Sequence, residues 1–267
     1  LTTYHEEHEA VVRDLGHQVR AIKKSWDWNP RAEFVILAMR VKIIQTNDSK
    51  TLAENIFAEL WKFKVINVIV AIKTPDGSDE PSLDLFTWFP YHPPGRCGKE
   101  VEAVMMDRWI GDTGHFLNNV SLYPPKIPRY FRGCTLTTSA FVYEPLVGLK
   151  KYTKNPTRVL YDEGIEVKLL EIMTRSVNMS IIFTEPPRDG WKWGFQEDNG
   201  SWTGITGEVI RGDTDIAMDN WWYRCHIINE IECLYPHTYD EVRWYVPCPK
   251  PYPRWMSITR VFRGSLW

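Results

Sequence analysis

The first residues along the chain that could do chemistry are His5-Glu6-Glu7-His8-Glu9. A zinc-hydrolase helix needs its two histidines one full turn apart, as in H-E-x-x-H, with the glutamate as base. Here the fifth position is Glu9 and the histidines are His5 and His8, so the run reads as a solvated helix face. Cys225 and His226 are adjacent, and sequence neighbours point apart, which argues against a nucleophile and its base. The acidic pairs Glu230/Glu232 and Asp240/Glu241 have no supporting motif and read as surface charge. There is no G-x-G-x-x-G, no Walker loop and no G-x-S-x-G elbow. No C-x-x-C occurs, which weakens zinc and thioredoxin-type readings. These residues predict no enzyme, no bound metal and no cofactor.

The aromatic residues are a different matter. The chain has 13 Trp, and eight of them fall at Trp191, Trp193, Trp202, Trp221, Trp222, Trp244, Trp255 and Trp267. The loop from Trp191 to Trp202 and the pair Trp221-Trp222 would be costly as open surface. One reading is a core plug or a domain contact. The other is a cleft walled by rings, which suits apolar, aromatic or cationic ligands.

The elements that must position these residues read as α/β. Of 267 residues, 43% are hydrophobic and 25% charged, ordinary for a globular protein of one large domain or two small ones. The net charge of -2 gives no electrostatic case for nucleic acid. Residues 5–24 predict a helix with Val12, Leu15, Val19 and Ile22 on one face. Strands are expected at Phe34–Met39, Val65–Ile72 and Leu83–Phe89, with a helix carrying Leu52, Ile56, Leu60 and Phe63 between the first two. Val101–Trp109 predicts a short helix between two Pro-rich boundaries, 90–98 and 123–128. Further on come a strand at 135–143, and a helix after Gly164 with Ile165, Leu169, Ile172, Met173 and Val177 as its apolar stripe. Strands at 179–183, 214–218 and 242–246 and a short helix closing at Glu208–Arg211 complete the pattern. The domain reading is 1–96 as a reduced amino-terminal α/β domain, 97–127 as a linker and 128–267 as a second α/β part.

No run of about 18 apolar residues occurs, so no membrane span is predicted. The start at Leu1 and the aromatic end at Trp267 read as those of a fragment. N-x-S/T sequons at Asn47, Asn119, Asn178 and Asn199, with scattered cysteines, lean toward an extracellular chain, with glycans expected at Asn119, Asn178 and Asn199. A Cys97–Cys134 bridge is expected because the two flank the linker, while pairing among Cys225, Cys233 and Cys248 stays open.

A series of short words in fixed order carries a family resemblance. They include Gly133-Cys134-Thr135-Leu136, Tyr143-Glu144-Pro145-Leu146-Val147, Trp193-Gly194, Asn199-Gly200-Ser201-Trp202-Thr203-Gly204, Gly207-Glu208-Val209-Ile210 and Gly212-Asp213-Thr214-Asp215-Ile216-Ala217. Tyr235-Pro236-His237, Trp244-Tyr245-Val246-Pro247 and Pro253-Arg254-Trp255 follow. Over about residues 130–267 the chain resembles the first segment of the ligand-binding domain of ionotropic glutamate receptors. More closely it resembles the divergent arthropod ionotropic receptors of chemosensation. The resemblance implies the first lobe of a periplasmic-binding-protein-like clamshell, on the extracellular side of the plasma membrane. It also implies a ligand-gated cation channel, a small-molecule ligand, other receptor subunits in a tetramer, and attachment through membrane helices downstream of Trp267.

Departures from the family pattern locate the expected site. Glutamate-binding members carry P-L-T and then an Arg that clamps the ligand carboxylate. Here those positions are Asn220, Trp221 and Trp222, and the Arg position is Ile227, with Arg224 three residues earlier. The family's ligand-covering Tyr corresponds to Trp193, and its acidic residue before the first-strand Pro to Tyr143. The expected pocket is therefore lined by Tyr143, Trp193, Asn220, Trp221 and Trp222 and does not bind glutamate. The alternative is a soluble or non-sensing module whose Trp-rich face contacts a partner subunit.

Overall fold

Two helices shield one face of the first sheet because each presents a buried stripe at helical spacing. α1 (His8–Lys23) turns Val11, Leu15 and Val19 inward, and α2 (Thr46–Trp61) turns in Leu52, Ile56, Phe57 and Leu60. The computed structural model describes residues 1–25, 28–43, 46–73, 82–92, 96–149, 161–221, 228, 230–239, 241, 243–251, 254 and 256. Residues 1–231 form one unit and 232–267 another.

The first sheet has six strands in chain order: β1 (Thr2–Thr3), β2 (Phe34–Ala38), β3 (Val68–Lys73), β4 (Leu83–Thr87), β5 (Val104–Ile110) and β6 (His115–Phe116). β1, β2 and β3 run parallel, joined by α1 and α2, and the remaining pairs are antiparallel. β3 is buried on both faces, which is why it reads as an unbroken apolar run. Its helix-side residues Val68, Val70 and Ile72 join the main core with Trp88. Its other face, Ile69 and Ala71 with Leu85, is covered by Trp109, Phe116, Leu122 and Tyr123.

Residues 97–127 were expected to be a linker, yet they hold β5 and β6. Val101–Trp109 was expected to be a helix, but 104–110 is a strand because β4 offers an open edge that pairs Leu83 with Trp109. After β6 the chain straps back across the sheet. Asp107 accepts the backbone N–H groups of Asn118 and Val120, and the Tyr123 hydroxyl donates to the Phe34 carbonyl. Burial would raise the Asp107 carboxyl, but these backbone donors outweigh it and hold it below the usual range. The strap ends on Lys126, 3% exposed, whose Nζ donates to the Ile66 and Val68 carbonyls and the Thr87 hydroxyl.

The second sheet is parallel, in the order β10 (Met179–Phe183), β7 (Cys134–Ser139), β11 (Ile216–Ala217). A small hairpin, β8 (Gly148–Leu149) with β9 (Tyr161–Glu163), lies between β7 and α3 (Ile165–Ser176) in the chain. α4 (Gly204–Arg211) precedes β11 and ends at Gly212 in the left-handed conformation. Cys97 and Cys134 are joined by a disulfide, Cα–Cα 5.6 Å, which ties the turn Arg96–Gly98 to the start of β7. The Tyr91 and Phe131 rings meet beside it at 5.1 Å.

α3 corrects the expected stripe. Its buried residues are Glu166, Val167, Leu170 and Thr174, while Ile165, Leu169, Ile172 and Met173 are exposed. The inward face is the more polar one, and hydrogen bonds anchor Glu166 and Thr174 there. Glu166 accepts the Asn220 N–H, and the Thr174 hydroxyl bonds back to the Leu170 carbonyl. The strand expected at 242–246 is also absent among the described residues 243–246. Trp244, Tyr245 and Val246 are 80–92% exposed. Among the described residues no helix is long and apolar enough to cross a membrane.

Candidate functional site

The order β10–β7–β11 contains a topological switch. From β7 the chain passes through α3 to β10 on one side, then through α4 to β11 on the other. In open parallel sheets the crevice outside the carboxyl ends of the strands at such a switch is where ligands bind. Here that crevice lies between the ends of β7 and β11. The segments leaving those ends are Ala140–Tyr143 and Met218–Trp221.

Trp193 is brought to this corner by the loop before α4. Its ring meets Phe141 at 5.1 Å and Tyr143 at 5.6 Å, both edge to face. Its indole N–H donates to the Asp219 carbonyl at 2.7 Å. The loop is held against the start of α4 by backbone bonds: Ile205 N–H to Lys192, Thr206 N–H to Trp193, and Thr203 N–H to Phe195. The Thr206 hydroxyl adds a bond to the Trp193 carbonyl at 2.5 Å. Two glycines allow this approach. A Cβ on Gly194 would stand 1.8 Å from the Thr203 carbonyl oxygen, and one on Gly204 2.5 Å from that of Lys192. The words Trp193-Gly194 and Thr203-Gly204 are thus two sides of one contact. Asp189 closes it by accepting the Gly204 N–H at 2.7 Å.

Of the expected site residues, the structure packs Trp193 against Tyr143 and bonds its indole to Asp219, the neighbour of Asn220 in sequence; Trp221 is half-buried. Trp222 lies outside the described residues, as do Arg224, Cys225 and Ile227. Asn220 has φ 47° and gives its N–H to Glu166 at 3.0 Å. Asp219, with φ 141°, is 1% exposed; its Oδ2 accepts the Phe141 N–H at 3.3 Å. Two successive non-glycine residues at positive φ store strain, which recurs at ligand clamps.

Asp219 and Glu166 escaped the sequence reading. Asp219 follows a strand with no motif of its own, and Glu166 stands on what looked like the polar face of α3. Burial, reinforced by Glu166, pushes the Asp219 carboxyl up to about 7, against the Phe141 hydrogen bond and Lys192, which pull it down. Tyr161, hydrogen-bonded to the Ala140 carbonyl, is pushed up to about 12 by burial and by Asp219 and Glu208. Glu208 is in turn hydrogen-bonded to Ser139. The corner is thus an aromatic box over a buried acidic floor. Among the described residues no group of His, Cys, Asp and Glu could hold a metal ion.

Asn119, Asn178 and Asn199 are all exposed, and Asn199 folds its side chain onto the Ser201 N–H. Cys233 is disulfide-bonded, and Cys248 is free and exposed.

A family profile described as "Putative ionotropic receptor, ligand binding domain" matches residues 25–129. It covers the first sheet from β2 onward with its strap, not the corner described above. Ionotropic receptor 21a of Anopheles gambiae is 24% identical over 164 residues, 61% of this chain. The chain spans only 16% of the length of that relative. Among solved structures, the ligand-binding domain of an ionotropic glutamate receptor from Mnemiopsis leidyi with D-serine is similar at 17% identity and TM-score 0.28. The likeness covers 33% of this chain and 34% of that one, and a point mutant of the same domain with glycine gives the same figures. At that TM-score the likeness carries no weight for what this chain binds. The families matched are receptor ligand-binding domains. The chain is thus similar to ionotropic receptors, through the ligand-binding-domain profile over residues 25–129 and through the mosquito receptor over 164 residues.

Proposed function

We propose that the chain is the extracellular, ligand-sensing portion of a chemosensory cation-channel subunit and not an enzyme. In this reading 1–96 is a reduced amino-terminal domain, 97–127 connects it, although it is built into the first sheet, and 128–267 is the first lobe of a clamshell. The ligand lies against Tyr143, Trp193, Asn220, Trp221 and Trp222. One observation carries the reading: Trp193 and Tyr143 converge on the Asp219–Asn220 segment at the switch between β7 and β11. Closure of a second lobe over this corner would shift the closed–open equilibrium of the channel by its differential affinity for the ligand. The subunit sits in the plasma membrane through segments beyond this chain, in a tetramer, with glycans at Asn119, Asn178 and Asn199.

The pocket does not take glutamate. The family's carboxylate-clamping Arg position is Ile227 here, and the corner sets the buried carboxyls of Asp219 and Glu166 beside the point charge of Lys192 rather than a bidentate guanidinium. Calorimetric titration of the chain with L-glutamate should show no binding, and measurable saturation would sink the claim. Mass spectrometry of the secreted chain tests the three glycan sites.

The second reading, a non-sensing module that contacts a partner subunit through its aromatic face, also has an observation behind it. Tyr235, Tyr239, Trp244 and Tyr245 are 89–92% exposed. Retained partner assembly on mutation of Trp193, with loss on mutation of Trp244, would favour it.

A further inference from the structure

A hinge between the two sheets would need a few residues free to change their φ and ψ. The chain leaves little room for one. Lys126 is fastened to the first sheet by three hydrogen bonds. Phe131 and Gly133 already donate their N–H groups to the Val177 and Asn178 carbonyls, just before β10. Only Ile127–Tyr130 lies between, and Pro128 fixes one φ of that stretch. A ladder of rings runs alongside. Trp61 at the end of α2 meets Trp88 of the main core at 5.4 Å and Tyr91 at 6.3 Å, and Tyr91 meets Phe131 at 5.1 Å, all edge to face. The turn Arg96–Gly98 is wedged between the same parts. A Cβ on Gly98 would stand 2.6 Å from the Trp61 ring, while Cys97 beside it is bonded to Cys134. Cys97 has φ 64° and Gly98 φ 74°. A left-handed non-glycine residue persists where its surroundings over-determine it.

This joint stands where the strands that lead to the aromatic corner begin. β7 starts at Cys134. Asp215, just before β11, takes the Thr137 N–H on its Oδ2. It also lies near enough to Tyr91 to help burial raise the phenol above its ordinary value. At their other ends β7 and β11 lead into Ala140–Tyr143 and Met218–Trp221, and the six residues of β7 span about 20 Å. Two units joined by one strand of chain move independently by default. Here a second covalent link and a packed ladder close the joint. We propose that the Cys97–Cys134 bridge and the Trp61, Tyr91 and Phe131 rings form a clasp that makes the two sheets one rigid body, so that a displacement of the first sheet is carried along β7 and β11 to the corner at their far ends. Residues 97–127 then act as a brace rather than a tether. The clasp holds whether or not the corner takes a ligand.

The test reads the orientation of each sheet in the 267-residue chain from amide residual dipolar couplings. Amides of β2–β5 and those of β7, β10 and β11 should fit one alignment frame in the parent. Cys97→Ser combined with Tyr91→Leu opens the clasp, and the common frame should be lost. The NMR signal of the Trp193 indole N–H should move as well, although neither substitution touches that ring. Val11→Ala makes a core cavity in α1 away from the clasp and lowers stability by other means. It should keep one frame and leave Trp193 unmoved. Two frames in the parent, one frame in the opened variant, or two frames in Val11→Ala would overturn the rigid joint. An unmoved Trp193 signal in the opened variant would remove the transmission to the corner. Cys97→Ser alone gives the same readings should the double variant fail to fold.

Discussion

The Trp193 indole N–H donates to the backbone carbonyl of Asp219 at 2.7 Å, across 26 residues of sequence. That bond joins the loop before α4 to the segment after β11 and fixes the rotation of the ring against Phe141 and Tyr143. Trp193→Phe keeps an aromatic ring but removes the donor. It leaves a carbonyl without its partner in a half-buried place. The expected loss of stability is about 1–2 kcal/mol by urea denaturation. A near-ultraviolet circular dichroism change without a far-ultraviolet one should accompany it. An unchanged midpoint would show that the ring is held by packing alone.

Asp219 makes the chain's stability depend on pH with a definite sign. Burial pushes its carboxyl up to about 7 in the fold, from 3.8 in the unfolded chain. Between about pH 4 and pH 7 the folded state holds the extra proton, so stability falls as pH rises and levels off above that window. The groups acting with it are Glu166 of α3, Lys192 and Tyr161 of β9. Asp219→Asn keeps an oxygen for the Phe141 N–H and removes the titration. The variant should gain on the parent between pH 5 and pH 8, by up to a few kcal/mol. Parallel pH profiles of melting temperature would refute this.

Much of the fold is legible in the sequence where one force acts alone. α1 and β3 follow from periodicity and apolar continuity, and both form where expected. β5 was misread because its fate is decided by the open edge of β4, a partner that local pattern does not contain. α3 was placed correctly and turned the wrong way. Hydrophobicity favours Ile165, Leu169 and Ile172 inside, but the hydrogen bond from Asn220 holds Glu166 there instead. The site was half legible for the same reason. Tyr143, Trp193 and Asn220 come from the order of words, whereas Asp219 and Lys192 become visible only once the strand ends are brought together.

The Cys97–Cys134 bridge closes a sequence separation of 37 residues. Chain-entropy arguments assign a loop of that size about 3–4 kcal/mol of stabilisation. Cys134 is 4% exposed at the start of β7, so Cys134→Ser also buries a hydroxyl. Cys97→Ser is the cleaner variant. It should lower the melting temperature by several degrees. Adding reductant to the parent should reproduce most of the loss. If the parent were insensitive to reductant that demonstrably frees both thiols, the bridge would contribute little.

Lys126 is the point where the strap is fastened to the first sheet. Its Nζ donates to the Ile66 carbonyl at 2.8 Å, the Val68 carbonyl at 3.3 Å and the Thr87 hydroxyl at 2.6 Å. Lys126→Met keeps an apolar stem of similar length and strips these acceptors of their donor. The cost should be about 2–4 kcal/mol at pH 7. Burial pushes the Lys126 ammonium down to about 8 from 10.5. Its folded value thus lies below its unfolded one, and the sign is opposite to the usual paired lysine. The penalty is fully present below about pH 8 and is relieved as pH rises toward 10.5, where the unfolded chain also loses its proton. Urea midpoints at pH 7 and pH 10 should show the parent gaining on Lys126→Met at the higher pH. A gap that narrows with pH would mean that the ammonium, rather than the amine, is the form the strap prefers.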